Sequence, residues 1–138
     1  MPQDTFTTLP SRHSVPETID RLAKLAESKG LRIFARIDHA KGAAEVGLPL
    51  RPTQLLLFGH PKGGTPLMQD RQTAGLDLPL KALAWEDEKG QVWLSYYTGS
   101  VIASQHGLTD ASMAAVEAID KGVTLLCGLA TGDGALPT

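Results

Sequence analysis

Two periodicities divide the chain. Val15, Ile19, Leu22, Ala23 and Ala26 recur at helical spacing, with Glu17/Arg21 and Asp20/Lys24 as i,i+4 pairs on the wet face. Ser14 stands three residues before Glu17 in the pattern of a capping box, Pro16 suits a first turn and Gly30 a C-terminal stop, so a helix is predicted over 15–29. The period then drops to two. Leu31, Ile33, Ala35 and Ile37 alternate with Arg32, Phe34, Arg36 and Asp38, which predicts a strand over 31–37 with one buried face. After a short helical turn and loop in HAKGAAEVGLPLRPT, the apolar run QLLLFG is too short for an ordinary helix and reads as a central strand over 54–59.

A Gly/Pro loop, a short helix from about Pro66 and the extended LDLPL lead to the clearest hairpin, 80–87 and 91–98, turning at Lys-Gly. Its inner face is either Ala82 and Ala84 with Val92, Leu94 and Tyr96, or the opposite set with Leu83, Trp85 and Trp93. Both faces carry bulk, which suggests that helices cover one and something else, such as a second copy of the chain, covers part of the other. Thr109 or Asp110 caps a second long helix over 111–128, marked by Met113, Val116, Ile119, Val123 and Leu126 and weakened by Gly122 and Thr124. Phe6 to Leu9 is short and β-leaning, and the tail 129–138 is expected to fray.

Composition narrows the class. A length of 138 residues predicts a single domain, 1–138, and 42% hydrophobic with 20% charged residues are ordinary globular values. Thirteen Lys plus Arg against fifteen Asp plus Glu give a net charge of −2, so no basic excess favours nucleic acid or anionic lipid. The longest apolar run, Leu55 to Phe58, is far too short to span a membrane. The lone Cys127 excludes an internal disulfide framework, and a cytoplasmic placement is the simplest expectation.

The densest candidate for chemistry is Gly59-His60-Pro61-Lys62-Gly63-Gly64-Thr65-Pro66, between a strand and a helix start. Consecutive glycines let main-chain N–H groups converge, a helix N-terminus adds partial positive charge, and Lys62 supplies a full one, so the loop suits an anion. It matches neither the phosphate-binding loop of nucleotide hydrolases nor the dinucleotide fingerprint. The plainer reading is a tight connection, with Thr65 as N-cap and Pro66 at N1.

A second cluster is Arg36, Asp38 and His39, which a parallel sheet would bring near His60 as an acid–base or metal-binding set. The four histidines show no ligand spacing, so no metal and no cofactor is expected, and the plainer reading has Asp38 capping the turn that follows. Cys127, among Leu125, Leu126 and Leu129, reads as a buried, inert thiol. Trp85, Trp93, Tyr96 and Tyr97 offer stacking surface for a planar ligand, though such residues on a hairpin are more often core or interface anchors.

The Asp-His pair, the Leu-Arg-Pro-Thr loop, the Phe-Gly-x-Pro-Lys-x-Gly-Thr stretch and the Asp-Leu-Pro-Leu-Lys segment occur in that order. In this the chain resembles the domain of unknown function 302 family over roughly residues 5 to 106, except that His60 stands where the family more usually has Asn. The resemblance implies an α+β domain of the TATA-binding-protein-like class (β-α-β4-α), a two-layer antiparallel sheet backed by two long helices and commonly paired into homodimers. It implies no established activity. An antiparallel sheet would also set Asp38 and His60 at opposite ends of neighbouring strands.

Three expectations follow. The first is a homodimer that binds a small anionic ligand at 59–65, through Lys62 and the Gly63, Gly64 and Thr65 amides, with Arg36, Asp38, His39 or His60 orienting it. The second is a protein-interaction or structural module with no small-molecule ligand. The third is an acid–base enzyme using Asp38 and His39, for which no catalytic motif is present.

Overall fold

The computed structural model describes residues 5–136, so the first four residues and the last two of the predicted tail lie outside it. The chain runs β1 (Thr7–Ser11), α1 (Val15–Ser28), β2 (Arg32–Asp38), α2 (His39–Glu45), β3 (Thr53–Gly59), α3 (Pro61–Asp70), a 3-10 helix (Gln72–Asp77), β4 (Leu80–Glu86), β5 (Val92–Tyr96), α4 (Gly99–His106), a 3-10 turn (Asp110–Ser112) and α5 (Met113–Thr131). The strands form one antiparallel sheet in the order β1-β5-β4-β3-β2. The fold is α+β, with the two longest helices, α1 and α5, packed on one face of the sheet.

Helix α1 starts as its sequence predicts, with the Ser14 hydroxyl accepting from the Glu17 amide at 3.2 Å. It buries Val15, Ile19, Leu22, Leu25 and Ala26 against Leu56 and Phe58 of β3, Ala82 and Ala84 of β4, and Val92, Leu94 and Tyr96 of β5. The hairpin therefore turns its small-residue face to the helices and leaves Leu83, Trp85 and Trp93 on the other. Full burial of a side chain such as Ile19 or Leu22 contributes roughly 1.5–3 kcal/mol before entropy is counted. Burial also pushes the Cys127 thiol far above its ordinary range, so it is an inert part of this core.

Strand β2 departs from the predicted alternation. The register slips between Ile33, opposite Phe58, and Ala35, opposite Leu57, leaving Phe34 as an extra residue. Ile33 and Arg36 consequently face the helices, while Ala35 and Ile37 lie on the uncovered face. Helix α5 continues through Gly122 and past the predicted stop at 128, and Ala130 and Thr131 are buried. Rather than fraying there, the chain is tethered: Arg21 donates to the carbonyls of Leu129, Ala130 and Gly134, and the His13 ring meets the Gly132 carbonyl at 2.6 Å. Helix α4, unannounced by any strong periodicity, is capped by Thr98 and ends on left-handed Gly107. It crosses α5 so closely that a Cβ on Gly99 would lie 2.5 Å from the Val116 carbonyl.

Two aspartates act as polar fasteners. Asp70 accepts from Ser112 Oγ at 2.7 Å, the Thr109 amide at 2.8 Å and Thr109 Oγ1, tying α3 to the start of α5. Asp87 accepts from Trp93 Nε1 and from the Lys89 and Gln91 amides, each at 2.9 Å, closing the β4–β5 turn. The Ser112 bond, then the Thr109 amide, hold the Asp70 carboxyl below its ordinary value; the Trp93 bond, then the turn amides, do the same for Asp87. A carboxyl whose folded pKa is depressed stabilises the fold above its unfolded pKa and loses that contribution as pH falls through the folded one. Thermal melts from about pH 5 down to about pH 2 should therefore show a falling midpoint, and Asp70→Asn with Asp87→Asn should flatten that fall while lowering the midpoint at neutral pH.

Candidate functional site

The predicted glycine bend is part of a helix. Strand β3 ends at Gly59, and His60 is the N-cap of α3, its Nδ1 accepting from the Lys62 amide at 3.1 Å. Pro61 takes the first helical position, where its missing N–H costs nothing. The Gly63 and Gly64 amides both donate to the His60 carbonyl, at 2.9 and 3.2 Å. Thr65 is an exposed residue inside α3 rather than a cap, and Pro66 lies within the helix. The expected cradle of free amides is thus corrected: a helix that begins five residues early has already used them.

The predicted second cluster is dispersed. Arg36 extends over the helix face, donating to Asp20 Oδ1 at 2.5 Å, Gln54 Oε1 at 2.9 Å and the Pro16 carbonyl. Asp38 caps α2 by accepting from the Lys41 amide at 2.9 Å, and His39 is the exposed first residue of that helix. Because β2 and β3 are antiparallel, Asp38 pairs with Gln54, six residues before His60, which sets the two about 20 Å apart along the sheet. Arg36, Asp38 and His39 therefore do not orient anything bound at His60, and no acid–base or metal-binding set forms from Asp38, His39 and His60.

What the 59–64 segment does border is a cleft of about 610 Å³. One wall is Leu31 and Phe34 after α1; a second is His60, Lys62, Gly63 and Gly64 at the head of α3; a third is Leu78, Pro79 and Leu80; and the fourth is Ile119, Gly122, Val123 and Leu126 of α5. The lining is mostly apolar, and its volume falls within the roughly 300–1,000 Å³ usual for small-molecule sites. Lys29 and Lys62 are its only charged residues; both are exposed, and neither has an ion-pair partner among the described residues.

The glycines shape this space. A Cβ on Gly64 would sit 3.3 Å from Leu78 Cδ1, so the glycine allows α3 to approach that wall. Cβ atoms on Gly63 or Gly122 would meet nothing within 4 Å. Sequence reasoning found the α3 wall and missed the other three, because they converge only in three dimensions. The helix-weakening Gly122 was the local signal of it.

A second, shallower groove of about 450 Å³ lies on the uncovered sheet face, between Phe6, Leu55, Leu83, Trp85 and Tyr97, with Lys81 as its one charged residue. Trp85 and Trp93 stack there with centroids 6.2 Å apart, and Trp85 Nε1 donates to Ser95 Oγ at 2.9 Å.

Comparison with known proteins places this architecture. The family model described as domain of unknown function DUF302 matches residues 7–126. The chain belongs to the DUF302 family. The DUF302 match reaches well into α5, beyond the core of about 5–106 that the motifs delimit. A crystal structure of an uncharacterized conserved DUF302 protein from Bacillus stearothermophilus shares the fold, with a TM-score of 0.73 and 16% identity over 92% of this chain and 95% of that one.

The chain is also 49% identical over 128 residues to the fluoride-specific ion channel FluC 1 of Brucella suis biovar 1 (strain 1330), covering 93% of this chain and 50% of that protein. The same identity and span hold for fluoride-specific ion channel FluC 2 of Brucella melitensis biotype 1, of which 47% is covered. The chain thus spans about half the length of the curated relatives it matches. Among the described residues, no helix is long and apolar enough to cross a membrane.

Proposed function

We propose that this DUF302 chain is a small-molecule-binding module that works as a homodimer and takes an amphiphilic anion into the cleft between α3 and α5. The observation that carries the reading is the cleft itself: an apolar space of small-molecule size whose only charged lining residues are two lysines with no ion-pair partner among the described residues. The ligand's apolar body would pack on Leu31, Phe34, Leu78 and Ile119, and Lys29 and Lys62 would meet its charge. The uncovered face with Leu55, Leu83, Trp85 and Tyr97 would pair two copies, since an apolar sheet face is stabilised by exclusion from water. A cytoplasmic placement accords with the single buried thiol.

Titration with the anionic fluorophore anilinonaphthalene sulfonate tests the cleft. Saturable binding at one site per chain is expected, and Gly122→Phe should abolish it, because a side chain there enters open space. That substitution replaces a helical glycine and should leave the unfolding free energy unchanged or raised, by up to about 0.5 kcal/mol of helix propensity. Absence of saturable binding, or binding that survives in a folded Gly122→Phe protein, would remove the cleft from the model.

A further inference from the structure

The head group the cleft can accept is set by the donors that remain in it. The Lys62 amide is committed to His60 Nδ1, and the Gly63 and Gly64 amides to the His60 carbonyl, so the backbone at this bend has nothing left to give a multivalent anion. The same cap fixes the tautomer of His60. A ring nitrogen that accepts a hydrogen bond carries no proton, so the neutral imidazole holds its proton on Nε2. That Nε2–H has no protein partner among the described residues, and the half-buried ring lines the cleft beside Lys62. The fixed polar equipment therefore comes to one N–H donor on a ring held by the cap, with two lysines on the same lining and no carboxylate among its residues.

We infer that the ligand is a monocarboxylate on an apolar body, its carboxylate accepting from His60 Nε2–H and facing Lys62 and Lys29. The inference rests on the cleft reading above and adds the head group to it. A phosphate ester brings a third terminal oxygen and a second charge, and meeting them would require ordering both exposed, flexible lysines, an entropic cost that a carboxylate met by the fixed His60 donor does not incur. A carboxylate needs one strong donor and one or two counter-charges, with its second oxygen toward water at the exposed lysines. An alcohol of the same chain would gain only the apolar contacts and a neutral hydrogen bond.

The test is displacement of bound anilinonaphthalene sulfonate by dodecanoate, dodecyl phosphate and dodecanol, each below its aggregation limit. Dodecanoate should displace the fluorophore at a concentration at least about tenfold lower than dodecanol, since charge-assisted hydrogen bonds exceed neutral ones by about that margin. Dodecyl phosphate should do no better than dodecanoate.

His60→Ser isolates the donor, because a serine hydroxyl can accept from the Lys62 amide but is too short to place a proton where the imidazole Nε2–H lies. Serine is a strong N-cap, so the helix start and the melting temperature should be retained, while dodecanoate weakens several-fold and dodecanol stays unchanged. Equal potency of dodecanoate and dodecanol, a clear preference for the phosphate, or an indifferent His60→Ser would each overturn the carboxylate assignment with the cleft reading intact. If the fluorophore does not bind the wild-type chain at all, the cleft reading itself falls.

Discussion

Phe58→Ala is expected to lower the unfolding free energy by about 3–5 kcal/mol, read as a lower urea midpoint at unchanged slope. Phe58 has no solvent exposure, and its ring lies on the helix side of β3 between Ile33 of β2 and Leu80 of β4. Truncation removes the transfer energy of the ring and leaves a cavity, because the floor of that space is backbone held by ladders on both sides. The neighbouring residue supplies the control. Leu57 is one position earlier on the same strand, opposite Ala35 and Lys81 on the uncovered face, and is only half-buried. Leu57→Ala should therefore cost the isolated chain well under half as much, in keeping with the smaller apolar area it buries. Comparable losses at the two positions would mean that the assigned faces of β3 are wrong. The same strand leads through Gly59 to the cap of α3, so a clean Phe58 result also fixes the platform on which the cleft stands.

How much of this was legible beforehand depended on the range of the interaction that decided each feature. Helix α1 was legible to within a residue, because the Ser14 cap, the buried stripe and the Gly30 stop are all local. Strand β3 and the β4–β5 hairpin were legible from run length and turn chemistry, but which hairpin face is inside is a tertiary choice that the sequence left open. It was settled by the close seat of α1 and α5, which Ala82 and Ala84 permit and Trp85 would not. The bulge at Phe34 was hidden, since it exists only relative to β3. Its consequence was to reverse the faces assigned to Ala35 and Ile37.

The head of α3 was misread for a different reason. Two prolines compete to begin that helix, and glycines between them look like a loop. The earlier proline won because His60 supplies a side-chain acceptor for the first-turn Lys62 amide, a role usually taken by Ser, Thr, Asn or Asp. Asn at this position in the wider family, as the resemblance implies, would have made the cap easier to recognise. The place of the candidate site was therefore legible and its physics was not: the segment borders a ligand-sized space, but through side chains and missing side chains instead of through free amides.

Trp85→Asp should convert a dimer into monomers, with the dissociation constant rising by at least about a hundredfold. Trp85 stands on the uncovered face of the central strand, toward its hairpin end, opposite Trp93 on β5 and Thr53 on β3, and borders the groove with Leu55, Leu83 and Tyr97. A tryptophan in such a position buries large area at small entropic cost, and truncating an interface anchor commonly removes more than about 2 kcal/mol. A carboxylate in its place must also be desolvated against a second apolar face, and the same charge recurs from the symmetry-related copy, so the two penalties add. Sedimentation velocity across a concentration series provides the measurement, with Leu83→Asp as the second variant in case loss of the Trp85–Trp93 stack weakens the hairpin itself. Both proteins should keep the far-ultraviolet circular dichroism of the wild type. They should also keep the fluorophore site, because the cleft lies on the helix side of the sheet and shares no lining residue with the groove. A wild-type chain that sediments as a monomer at high concentration, or variants that stay dimeric, would show that pairing does not use this face.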